Sequence, residues 1–150
     1  MSLSLFLHVL SVVVWVGGMF FAYMALRPVA AGVLEPPQRL TLWAGVFGKF
    51  FPWVWASVAL ILASGLHMLA VLGGTGAPLY ALAMLALGVL MMLIFAHVFF
   101  APYGRLKRAV AAQDWKAGGA ALGQIRMLIG INLSLGLLTI AVVFGGRALL

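Results

Sequence analysis

The chain contains no cysteine and only two acidic residues among its 150. Without cysteine there is no disulfide, no thiolate metal site, no iron–sulfur cluster and no thiol nucleophile. The two carboxylates, Glu35 and Asp114, both fall between long apolar stretches rather than within them. Acidic proton relays inside a membrane are therefore excluded as a mechanism. Charged residues make up 7% of the chain, against roughly 25% in a soluble domain. No G-x-S-x-G, H-E-x-x-H or P-loop pattern occurs.

What is abundant is apolar sequence, 66% of the chain, arranged in four long runs at about 3–26, 46–72, 79–101 and 125–144. Runs of this length are transmembrane helices, and four of them consume nearly the whole chain. The expected fold is an all-α integral membrane four-helix bundle forming one domain, 1–150. Met1 to Phe6 carries no Lys or Arg and no A-x-A-like site closes the first run, so it is expected to be retained as a span.

The nine basic residues set the orientation. Arg27, Arg39 and Lys49 flank or occupy the first connection, and Arg105, Lys107, Arg108, Lys116 and Arg126 the third; Arg147 alone lies on the other side. The positive-inside rule puts those two connections in the cytoplasm and both termini on the periplasmic side of a bacterial inner membrane. The formal charge of +7 then reads as topology signal and as contact with anionic headgroups, not as a nucleic-acid surface.

Between the spans, proline and glycine suggest breaks. A connection is expected from Pro28 to about Gly45, broken at Glu35-Pro36-Pro37, with the segment Gln38 to Trp43 lying flat in the interface and dipping Leu40, Leu42 and Trp43 into lipid. Phe50, Phe51, Trp53 and Trp55 read as an interfacial aromatic belt, and Pro52 falls in the first turns of the second span. Gly73 to Pro78 is a tight uncharged turn.

Two of the three histidines stand at one depth. His8 and His67 each lie about five residues inside the periplasmic end of their spans, roughly 7–8 Å below the boundary. Such a pair could bracket a haem iron axially or hold a copper ion, with Trp15, seven residues after His8, stacking on a macrocycle or simply packing. Met84 lies near that depth on the third span and would complete a His/His/Met copper site. The alternative for each His is a ring bonded to a backbone carbonyl or facing headgroups. His97 and Asn132 are expected at a comparable cytoplasmic depth, with Arg126 nearer the surface, as a polar pocket for a quinone headgroup, a propionate or a lipid phosphate, or as packing glue. The small residues Gly17-Gly18, Ser64-Gly65, Gly88, and Gly130 with Ser134 allow close helix approach.

His8, Trp15, Gly17-Gly18-Met19-Phe20-Phe21 and Leu26-Arg27-Pro28 resemble the opening helix of the copper resistance protein D (CopD) family of bacterial inner-membrane proteins. The likeness continues through Phe50-Phe51, Trp53 and Trp55, through Ser64-Gly65-Leu66-His67, through Phe95-Ala96-His97-Val98 to Pro102-Tyr103, and from Arg126 to Gly136. It implies transport or uptake of copper. The opening helix is also similar to that of the HemJ-type protoporphyrinogen oxidases, which implies haem b ligation by a histidine matched here by His8. That group also uses a lysine inside a later span, which this chain lacks.

Three readings follow. The first is a haem b protein for redox or electron transfer, a membrane oxidoreductase, with His8 and His67 as axial ligands. The second is a copper-binding or copper-transport protein using His8, His67 and Met84. The third is a cofactor-free structural or partner-binding bundle. A quinone and a second copy of the chain are the further partners such a bundle admits.

Overall fold

A computed structural model describes residues 1–148. Among these there are helices and turns and no strand. Helix α1 (Ser2–Phe21) passes through a π-helical stretch, Ala22–Leu26, into α2 (Arg27–Val33). Helix α3 (Pro36–Val71) returns; α4 (Leu79–Phe100), α5 (Pro102–Ala111) and α6 (Trp115–Ala148) complete the chain. Four helical rods are long and apolar enough to cross a membrane. They hold 32 to 36 residues each, with α4 and α5 counted together, or about 48–54 Å at 1.5 Å per residue. A hydrocarbon core about 30 Å thick leaves several turns of each rod outside it.

The first connection differs from expectation. Pro28 does not end the helix. Its ring cannot donate to the Met24 carbonyl and crowds it, and the backbone absorbs this by widening to a π turn, in which the Arg27 N–H donates to the Ala22 carbonyl five residues back. Only Leu34 and Glu35 separate α2 from α3. Pro36 and Pro37 open α3, where the missing N–H groups have no intrahelical partner to lose. Gln38 to Trp43 is therefore the start of a membrane-crossing rod, not an interfacial segment, and Leu40 and Trp43 are buried. Pro52 consequently lies well inside α3, where the Gly48 carbonyl forgoes its helical donor.

The remaining connections are short. At the second, Gly73 adopts φ +105°, a left-handed conformation that favours glycine, and closes the turn after α3. At the third, the basic residues Arg105, Lys107 and Arg108 lie on the amphipathic α5 rather than in a loop. Asp114 then accepts a hydrogen bond from the Ala117 N–H at 3.1 Å, capping α6.

Helices α1 and α3 pack along one another, as do α4 and α6, and α5 lies against α6 near the basic end. Aromatic rings fill the junction of the pairs. Phe51 stacks on Phe47 at 4.9 Å and meets Tyr103 and Phe95 edge-on at 4.9 and 5.3 Å; Trp15 and Trp55 close on Phe95 at 6.1 and 4.9 Å. The expected belt is thus divided: Phe51 is 2% exposed, in the core, whereas Trp53, 66% exposed, faces outward.

Burial is uneven along the bundle. In α1 no residue before Ser11 is buried, in α3 only Ser64 beyond Ser57, in α4 only Ala81 before Met91, and in α6 none of the described residues after Gly136. Tight packing belongs to the basic half.

Glycine makes that packing possible at specific contacts. A Cβ on Gly136 would sit 3.1 Å from Val16 and 3.2 Å from Met91, whereas one on Gly88 would meet nothing within 4 Å. We therefore expect Gly136→Leu to cost about 1–3 kcal/mol through overpacking. Gly88→Leu should be close to neutral, both measured by reversible unfolding in detergent micelles.

Candidate functional site

His8 sits at the α1–α3 contact, in the sparsely buried half. Its Nδ1 lies 3.1 Å from the Ser64 Oγ. The Ser64 hydroxyl in turn donates to the Leu60 carbonyl one turn back, with a longer branch to Ile61 at 3.3 Å. With its proton committed there, the oxygen can accept from His8 in the tautomer protonated at Nδ1. The Nε2 lone pair is then the free coordinating position of the ring. Gly65 lets the imidazole seat against the α3 backbone: a Cβ there would stand 3.3 Å from the His8 Cε1. A ring held by one nitrogen and open at the other is the usual arrangement of a metal-binding imidazole.

His67 lies three residues beyond Ser64 on α3 and is exposed. The hydrogen bond of His8 thus goes to Ser64, one turn below His67. Met84 is half-buried on α4, and Trp15 is buried edge-on to Phe95. Among the described residues there is no group of three or more His, Asp or Glu side chains able to hold a metal ion together.

The pocket expected from His97, Asn132 and Arg126 does not form. Asn132, 3% exposed, donates from its amide nitrogen to the Met91 carbonyl at 3.2 Å, and its Oδ1 finds no partner. His97 stands exposed about 9 Å further along α4. Helical phase separates them: Met91 and Phe95 face the core, and His97 does not. Arg126 instead lines a cleft of about 500 Å³ at the basic end, with Tyr23, Arg27, Arg39, Trp43, Trp115 and Lys116 also on its walls.

Two features escaped the sequence reading. Ser64 was visible only as a small packing residue, although a hydroxyl one turn from His67 and level with His8 is a signal in principle. The cleft draws its cations from three separate helices, and only the folded chain brings them together.

The architecture is that of a helical membrane protein with one oriented imidazole between two of its rods. The chain belongs to the copper resistance protein D family: the family model, CopD, matches residues 44–145. That match takes in His67, Met84, His97 and Asn132 and begins beyond His8 and the first helix, on which the likeness to the HemJ-type oxidases rests. No curated protein and no solved structure matches the chain.

The His8–Ser64 contact carries its own test. Ser64→Ala should lower the unfolding free energy by about 1 kcal/mol, the net worth of one hydrogen bond. It should also shift the ¹⁵N resonance of the His8 Nδ1 while leaving that of His67 in place.

Proposed function

We propose that this protein binds copper at the membrane and passes it across, with His8 as the principal ligand and His67 and Met84 as further donors. The observation that carries the reading is the His8–Ser64–Leu60 relay, which leaves the Nε2 lone pair free in a chain of the copper resistance protein D family. Imidazole and thioether are donors suited to copper, and the thioether favours Cu(I). Copper is cargo in this reading. An ion in transit needs sites favourable enough to enter and weak enough to leave. One fixed imidazole, with an exposed second imidazole on α3 and a half-buried thioether on α4 as further donors, suits that better than a closed cage would.

Haem b does not draw the same support. The family match points to copper. The His8 ring also rests directly on α3 at Gly65, which leaves no slot for a macrocycle between that ring and the helix bearing His67.

We place the basic end in the cytoplasm and His8 and His67 toward the periplasmic face of the inner membrane. Because the chain has no cysteine, single introduced thiols report this directly. Thr75→Cys should react with a membrane-impermeant maleimide in intact cells, and Ala112→Cys only after permeabilisation; the opposite pattern inverts the topology.

For copper itself, detergent-purified protein loaded with Cu(I) should retain the metal after desalting. His8→Ala should abolish retention, and Ser64→Ala should weaken affinity about tenfold, the low end for loss of a residue that orients a ligand. Unchanged affinity in His8→Ala would remove the proposal. A Soret band in the reduced-minus-oxidised spectrum would return haem to consideration.

A further inference from the structure

The cleft at the basic end is unlike the rest of the surface. Arg27, Arg39, Lys116 and Arg126 line it, and no carboxylate does. Of the two acidic side chains, Asp114 caps Ala117 and Glu35 stands exposed at the start of α3, and neither is on the cleft wall. Converging cations with no counter-charge repel one another, and an anion relieves that repulsion. The side chains are also positioned. Arg27 donates from Nε to the Tyr23 carbonyl at 3.2 Å and stands 4.4 Å over the Tyr23 ring.

The α6 wall has a regular construction. Lys116, Gly119, Gly123 and Arg126 recur at three- and four-residue spacing and so share one face. Cβ atoms at both glycines would meet nothing within 4 Å, so the space before them is open. Tyr23 packs on Gly130 and Leu40 on Gly118, which pairs Arg27 with Arg126 in an inner tier and Arg39 with Lys116 in an outer one. The tiers are about 15 Å apart along α6. The π turn lies where Tyr23 and Arg27 enter, a position such turns often take at functional sites.

The wall is not only charged. Trp43 and Trp115, with apolar side chains between the tiers, make a surface that a free ion would leave unused. The rods are longer than a hydrocarbon core is thick, and a cleft at their charged end suits the boundary between acyl chains and headgroups. We infer that this cleft binds an anionic phospholipid, its headgroup phosphate held by the cationic side chains at the outer tier and its acyl chains running along the apolar wall. The site is independent of the copper reading.

Native mass spectrometry of the full chain in detergent, titrated with phosphatidylglycerol or phosphatidylcholine, tests this. Phosphatidylglycerol should be retained preferentially, and Arg39→Gln/Lys116→Gln/Arg126→Gln should reduce that preference about tenfold or more. The charge-matched Arg105→Gln/Lys107→Gln/Arg108→Gln, outside the cleft, should leave it intact. Equal losses in the two triple variants would show charge count alone and overturn the site. Displacement by millimolar inorganic phosphate would assign the cleft to a free anion and overturn the lipid. If the first triple variant does not fold, brominated lipids decide. Emission from Trp43 and Trp115, taken as the difference from Trp43→Phe/Trp115→Phe, should be quenched by brominated phosphatidylglycerol and not by brominated phosphatidylcholine. Equal quenching by both overturns the inference.

Discussion

Inside a bilayer, apolar side chains gain nothing by turning from lipid toward protein, so helices associate through fit and through the few polar contacts they can satisfy. The structure follows from that constraint. Glycines stand where another helix presses closest: Gly18 under Phe50, Gly65 under His8, Gly130 under Tyr23 and Gly136 between Val16 and Met91. Aromatic rings then supply large, rigid contact area where the two helix pairs meet, around Phe51 and Phe95. Asn132, the one amide buried among them, reaches across from α6 to the Met91 carbonyl of α4.

The same scarcity of partners gives the His8–Ser64 contact its meaning. An imidazole in this setting must find a partner or bear the cost of lacking one. Ser64 can accept from it because the serine proton is spent on its own helix, at Leu60. A side chain usually counted as small filler thereby favours the His8 tautomer with the proton on Nδ1. Orientation of the one ring follows from an ordinary backbone carbonyl two steps away.

Much of the architecture was legible in the chain. The four apolar runs and the glycine turn after Val71 follow from composition and spacing, which also mark out His8 and His67 as a pair at one depth. The ends of the rods did not. Proline at 28, 36 and 37 was read as a break, yet Pro28 is absorbed by a π turn and the other two open a helix. Hydropathy loses a helix once it leaves the hydrocarbon and becomes charged, as at Arg39 and Lys116, although the hydrogen-bonded rod continues. The candidate site was legible in part. His8 and His67 stand out together by depth, but the serine partner of His8 and the outward placement of His67 and His97 depend on helical phase across a contact, which spacing along one chain does not supply. The cationic cleft is a purely tertiary object.

The crowding of buried side chains into the basic half has a mechanical consequence. The bundle resembles a clothes-peg whose spring is the aromatic knot at Phe51 and Phe95. The jaws at the opposite end, where His8 and His67 sit, bury few side chains, the property of regions that open before the core does. Whatever meets the His8 ring does so at the loosely filled end, away from that knot.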